Sequence, residues 1–220
     1  MIPHRQARDG DARSQIRVVL LESHRQLRAA MVSGLRSRGF GQIASCGSLQ
    51  AAIQALAEGE IDLLLVDLDD GWREACDLLS RVRGGKCGHN PFAVAIALTS
   101  APEQDVLRAA IDAGFDDILV KPLPLEQLFR RVWRFTEGRR RFVVTHDYTG
   151  PDRRRTPRPD APTAPMVSVP NTLAEKFRRS VTSDALRAAI AAAQAEIAYM
   201  RERARMGPAG GNALARAAAF

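Results

Sequence analysis

Leu63-Leu64-Leu65-Val66 places four large apolar residues in a row, preceded by Ile61-Asp62 and ended abruptly by the carboxylate of Asp67. Leu68-Asp69-Asp70-Gly71 follows at once and reads as a turn. So dense an apolar run, bounded by turn residues, suits a strand buried on both faces, as in a parallel sheet. Few folds accept such a strand. Parallel strands need helical crossovers, so the neighbouring sequence must alternate strand with helix. A carboxylate at the carboxyl end of such a strand projects into the crevice where open α/β sheets bind ligands. Asp67 can equally cap the helix that begins near Trp72, and this stretch alone leaves both roles open.

The alternation is present. Ile16-Arg17-Val18-Val19-Leu20-Leu21 is a second buried-strand candidate, closing on Glu22-Ser23-His24. Leu27, Ala30, Met31, Gly34 and Leu35 recur at helical spacing up to Gly39. Residues 42–46 form a short strand, and Ser48 caps a helix bearing Leu49, Ala52, Ile53 and Leu56. After the Asp67 strand comes a helix with Ala75, Leu78, Leu79 and Val82, then a Gly-rich loop from Gly84 to Pro91. Residues 92–98 form an apolar run closing on Thr99-Ser100, and a helix over 103–113 stops at Gly114. Asp117-Ile118-Leu119-Val120 closes on Lys121-Pro122, and Leu125, Leu128, Phe129, Val132 and Trp133 line a final helix ending before Gly138. Five strand–helix alternations predict a parallel sheet with helices on both faces and right-handed crossovers. Glu22 and Ser23, Asp67, Thr99 and Lys121 all fall at strand carboxyl ends, where they converge on one crevice. Four independent capping accidents would not assemble that set, so capping becomes the weaker account of Asp67.

Val18 to His24, Leu63 to Asp67, Ala95 to Ser100 and Ala113 to Pro122 stand in an order and spacing that resembles the receiver domain of bacterial two-component response regulators. The resemblance covers roughly residues 15–137 and implies a flavodoxin-like (βα)5 doubly wound sheet in strand order 2-1-3-4-5. It implies Asp67 as phosphoacceptor, Lys121 as the cation that pairs with the phosphoryl group, and Thr99 as the hydroxyl that moves to bond it. It further implies Mg²⁺ held by Glu22, Asp67 and the backbone carbonyl of Asp69, and a cis Lys121-Pro122 bond. Ser23 stands where the family usually has the second acid of a pair, and a neutral hydroxyl is a poorer metal ligand; Asp69 or Asp70 offers replacement oxygens. Ile118 replaces the usual Tyr or Phe three residues before the lysine, and no proline follows Asp67 closely. The implied partners are a sensor histidine kinase or histidine phosphotransfer protein and a downstream protein target.

Outside residues 16–137 the expectations are simpler. Residues 1–15 are polar and mixed in charge and read as a disordered leader. Residues 138–170 read as a basic, Pro-rich linker, with Arg139 to Thr145 either a short β segment docking back or linker alone. Much of the net charge of +7 lies in arginines between Arg139 and Arg158, and a solvated linker explains it better than a nucleic-acid partner. In the helical tail, residues 171–206, Thr172 caps a short helix and Thr182 or Ser183 a longer one that ends at Gly207-Pro208. Leu186, Ile190, Ala193, Ile197, Met200 and Ala204 step 4-3-4-3-4 along it. That heptad seam predicts either a weak homodimer or packing onto the chain's own receiver. Residues 207–220 read as a disordered end.

The three cysteines, Cys46, Cys76 and Cys87, form no CxxC pair, so reduced thiols in a cytoplasmic protein are expected. No apolar run approaches a membrane span. Neither a nucleophile–base pair nor a dinucleotide-binding glycine fingerprint is present, so an enzyme in the ordinary sense is not expected. Two other readings stay open: a receiver-like scaffold that is not phosphorylated, favoured by Ser23 and Ile118, and a transcription regulator binding DNA through the basic arginines.

Overall fold

The computed structural model describes residues 12–153, 164–178 and 181–217, with side chains as far as Arg205. Five strands, β1 (Arg17–Leu21), β2 (Gln42–Cys46), β3 (Leu63–Asp67), β4 (Val94–Thr99) and β5 (Asp117–Val120), form one parallel sheet in the order β2-β1-β3-β4-β5. Between and after them run α1 (Arg25–Ser37), α2 (Leu49–Ala57), α3 (Trp72–Arg83), α4 (Gln104–Ala113) and α5 (Leu125–Glu137). The expected α/β architecture and strand order are therefore present.

Strand periodicity divides the core. Val19, Leu21, Leu64, Val66, Ala95 and Ala97 face one way, onto α2, α3 and α4 through Leu56, Leu78, Val82 and Ala110. Val18, Leu20, Leu63, Leu65, Ile96 and Leu98 face the other way, onto α1 and α5 through Met31, Leu35, Leu128 and Val132. Successive residues point to opposite faces, and both faces are dry, so β1, β3 and β4 must be apolar throughout. Helix ends follow their sequence signals. The Ser48 hydroxyl accepts the Ala51 N–H at 3.3 Å, and Gly114 ends α4 in the left-handed conformation at φ +94.

The chain beyond α5 departs from a solvated linker. Phe142–Val144 (β6), Thr149–Pro151 (β7) and Met166–Val167 (β8) form a three-stranded antiparallel sheet in the order β7-β6-β8. Its strands are two or three residues long, too short to show periodicity in the sequence. Arg139 is buried rather than solvated: its Nη2 lies 2.7 Å from Asp116 Oδ2, and its guanidinium stacks 4.7 Å from the centre of the Phe142 ring. Arg153 pairs with Asp112. Residues 154–163, including Pro157, Pro159, Pro162 and three of the arginines, lie outside the described residues.

Two helices complete the fold. Asn171, one residue before the expected Thr172, caps α6 (Thr172–Arg178) by accepting the Ala174 N–H at 3.2 Å. Lys176 of α6 reaches buried Asp62 at 2.8 Å, and Asp62 also accepts the Arg17 N–H at 2.8 Å, tying α6 to the amino end of the sheet. Thr182 accepts the Ala185 N–H at the start of α7 (Ser183–Ala217). This helix passes through Gly207-Pro208 instead of stopping there, and the expected disordered end is helical as far as Ala217. Pro208 forfeits a helical hydrogen bond, and with Gly207, Gly210 and Gly211 it disfavours helix locally, which is why the sequence reads as a stop there.

The heptad seam is spent within the chain. Ile190, Ala193 and Ile197 pack with Phe92, Phe142, Val144 and Val167, which is the intramolecular alternative. Residues 12–15 also belong to the folded unit. Ala12 is buried, and the Arg13 guanidinium lies 5.6 Å from the Trp133 ring and 5.4 Å from that of Phe177. The leader reading thus fails for these residues, and residues 1–11 lie outside those described.

Ile197→Ala is expected to lower unfolding stability by about 2–4 kcal/mol, the usual cost of emptying a core isoleucine site. Urea unfolding followed by circular dichroism checks this. A seam exposed to solvent would instead leave the midpoint within about 0.5 kcal/mol of wild type.

Candidate functional site

Each strand of the central trio, with β5, delivers one polar group to its carboxyl end. Glu22 follows β1 directly. Its N–H still bonds Cys46 O at 3.0 Å, and its side chain is fully buried, with Oε1 accepting the His24 N–H at 2.9 Å. Arg28 of α1 holds the same loop by donating to the carbonyls of Glu22 at 2.7 Å and Ser23 at 2.9 Å. Asp67 is the last residue of β3, Thr99 the last of β4, and Lys121 follows β5, joined to Pro122 by a cis peptide bond.

Lys121 is the electrostatic centre. Its Nζ lies 2.6 Å from Asp67 Oδ1, 2.8 Å from Asp69 Oδ2 and 3.4 Å from Glu22 Oε2. Burial works against its charge, but the hydrogen bonds to Asp67 and Asp69 and the charges of Asp67 and Glu22 prevail, raising its pKa above the usual lysine range. Glu22 is shifted upward chiefly by burial, with the Asp67 charge adding to it and the His24 and Lys121 contacts opposing.

Thr99 is buried, and its hydroxyl donates to Asp69 Oδ1 at 3.1 Å. Ser23 bonds Asp70, so the position lacking the usual acid has a carboxylate beside it. The sequence-predicted residues thus converge: Glu22, Ser23, Asp67, Asp69 and Lys121 line one groove of about 860 Å³, which continues over apolar Leu27, Met31, Leu123 and Leu128.

The contact between Ser100 and the Asp69 side chain was not legible beforehand. Ser100 meets Asp69 through both its N–H and its hydroxyl, each at 2.7 Å. Asp69 was expected to act through its main-chain carbonyl, yet its side chain spans the mouth of the site. The Thr99-Ser100 pair of hydroxyls at a strand end was the available signal.

The donor set suits Mg²⁺. All the anionic groups are hard oxygens, and Glu22, Asp67, Asp69 and Asp70 line the groove against one ammonium, leaving surplus negative charge. Mg²⁺ commonly uses one or two carboxylates and keeps waters, so a full protein cage is not required. Among the described residues no three His, Cys, Asp or Glu side chains are grouped closely enough to hold an ion by themselves.

Comparison with known proteins finds response regulators. The chain is 27% identical over 120 residues to the transcriptional regulatory protein PdtaR of Mycobacterium tuberculosis, covering 54% of this chain and 56% of that protein. It is 31% identical over 135 residues to the response regulator protein PmrA of Pseudomonas aeruginosa, covering 60% of this chain and 58% of that one. Both matches thus span little more than half of the relative. A crystal structure of a response regulator from Thermotoga maritima superposes with a TM-score of 0.47 at 26% identity, covering 54% of this chain and 96% of that one. The family model for the response regulator receiver domain matches residues 18–133, more than half of the chain. With its strand order and the acid, hydroxyl and ammonium at its strand ends, the chain belongs to the response regulator receiver family.

Proposed function

We propose that this chain is a phosphorelay response regulator that accepts a phosphoryl group on Asp67 from a sensor histidine kinase or histidine phosphotransfer protein. The observation that carries the reading is the position of Asp67 at the end of β3 with Lys121 Nζ 2.6 Å from its Oδ1, and Thr99 at the end of the adjoining strand β4. Phosphoryl transfer asks mainly for positioning and charge neutralisation, which this arrangement supplies.

An Asp67 carboxylate oxygen forms the new O–P bond as the P–N bond to the donor imidazole breaks, and the bonding pair stays on the imidazole nitrogen. Lys121 offsets the charge on the phosphoryl oxygens, while Thr99 and Ser100 donate hydrogen bonds to them. Glu22, Asp67 and the Asp69 main-chain carbonyl would hold Mg²⁺, which would supply further charge neutralisation. Asp70, bonded to Ser23, adds carboxylate charge where the usual second acid is absent.

The state is passed on by protein contact, in a cytoplasmic setting. Ile111 of α4 and Val120 of β5 are exposed, which suits such a surface. Without an aromatic residue at Ile118, coupling runs through the Thr99-Ser100 segment alone. Of the arginines on which a DNA-binding reading would rest, Arg139 and Arg153 are already paired with Asp116 and Asp112.

Incubation with Mg²⁺ and acetyl phosphate is expected to add one phosphoryl group to wild type by intact mass and none to Asp67→Asn. Absence of the adduct from wild type across several donors would leave a scaffold that is not phosphorylated.

A further inference from the structure

The Asp69 carboxylate is bonded from every side. Oδ1 accepts the Ser100 N–H at 2.7 Å and the Thr99 hydroxyl at 3.1 Å. Oδ2 accepts the Ser100 hydroxyl at 2.7 Å and lies 2.8 Å from Lys121 Nζ. Four donors on two oxygens use nearly all the lone-pair sites a carboxylate offers. The backbone explains how the side chain arrives there. Leu68 N bonds Leu98 O at 2.9 Å, so pairing with β4 continues one residue past β3 and Leu68 stays buried. Asp69 then emerges beside the end of β4, and Gly71 at φ +120 turns the chain into α3.

Those donors are two hydroxyls and a main-chain N–H from the end of β4 and an ammonium from the end of β5. A phosphoryl group on neighbouring Asp67 would need the same set. Both groups are oxyanions, and the donors serve one at a time. We infer that the Asp69 side chain is the resident occupant of the phosphoryl pocket and competes within the chain with a phosphoryl group on Asp67. This rests on the reading of Asp67 as acceptor.

Three consequences follow from the geometry. The unphosphorylated chain already holds Thr99 and Ser100 against an anion, so phosphorylation exchanges one anion for another and moves this segment less. Asp69 also places negative charge in front of an approaching phosphodonor. Its side chain is 26% exposed, so it can swing outward to solvent without repacking the core.

The test compares the full chain with Asp69→Ala and Asp69→Asn under Mg²⁺ and acetyl phosphate, following adduct formation by intact mass. Asp69→Ala keeps the main-chain carbonyl assigned to the cation. It is expected to acquire the phosphoryl group faster than wild type, by about tenfold if Asp69 fills the pocket in roughly nine-tenths of molecules. Asp69→Asn is expected to fall between, since its amide oxygen still accepts from Ser100 but no longer attracts Lys121. Matching melting curves for the three chains exclude misfolding as the cause. A rate in Asp69→Ala equal to or below wild type overturns the inference and leaves Asp67 as acceptor. Absence of any adduct on all three chains overturns the acceptor reading, and the competition with it.

Discussion

Asp116→Ala is expected to destabilise the fold by about 3–5 kcal/mol, the cost of removing one partner from a buried ion pair. Asp116 stands between two buried guanidinium groups. Arg83 Nη2 lies 2.9 Å from its Oδ2, and Arg139 contacts both oxygens, at 2.9 Å through Nε and 2.7 Å through Nη2. The side chains of Arg83, Asp116 and Arg139 are all at most 4% exposed. Without the carboxylate, two like charges remain in an apolar enclosure formed partly by the Phe142 ring. Burial already pulls Arg83 down to about 10, with Asp116 opposing that drop. Asp116 also accepts the Ala95 N–H at 2.9 Å, so the edge of β4 loses a bond as well. Arg139→Ala should cost less, because Arg83 still answers the Asp116 charge and keeps its bonds to the carbonyls of Pro91, Ala93 and Gly114. Urea unfolding of the three proteins measures both effects. A loss below about 1 kcal/mol for Asp116→Ala would show that water reaches the two arginines.

Lys121→Ala is expected to slow phosphoryl uptake by on the order of 10²-fold, the usual consequence of removing one preorganised donor to a developing anion. The same substitution changes stability in a pH-dependent way. Lys121 is the cation among Glu22, Asp67 and Asp69, and its loss leaves three carboxylates facing one another. Glu22 already has a raised pKa in the folded chain, mainly through burial. A carboxyl group whose folded pKa exceeds its unfolded value contributes stability below the unfolded pKa, and that contribution is lost as pH rises through the folded one. Removing Lys121 raises Glu22 further, so the loss on moving from acid to neutral pH becomes larger. Melting temperatures at pH 5 and pH 8 should therefore differ more in Lys121→Ala than in wild type. An unchanged difference would show that Lys121 does not govern Glu22.

The chemistry at strand ends was readable because it depends on local pattern. Strands buried on both faces must be apolar throughout, amphipathic helices must repeat near 3.6 residues, and glycine or a capping hydroxyl marks the boundaries. Five such units dictate a parallel sheet, and the sheet places Glu22, Asp67, Thr99 and Lys121 along one rim. Asp67 needed no structure to stand out. Ser23 and Ile118 stood out as departures only against the resemblance to the receiver family.

What the tertiary structure alone decided depends on contacts between distant residues. Strands β6, β7 and β8 are too short to carry a period, and their stability comes from Phe142, Val144 and Val167 packing against Phe92 and α7. A heptad seam has the same pattern whether it meets a second chain or its own. The apolar surface offered by Phe92 and the small sheet determined that Ile190, Ala193 and Ile197 turn inward. Arg139 looked like linker charge until Asp116, 23 positions earlier, supplied its counter-ion. Asp69, beside the acceptor in sequence, showed no sign of its bonds to Ser100, because pairing of β3 with β4 is what brings residues 31 apart together. Local period determines which elements form and which residues reach their ends; burial and charge compensation between distant segments determine what those residues hold.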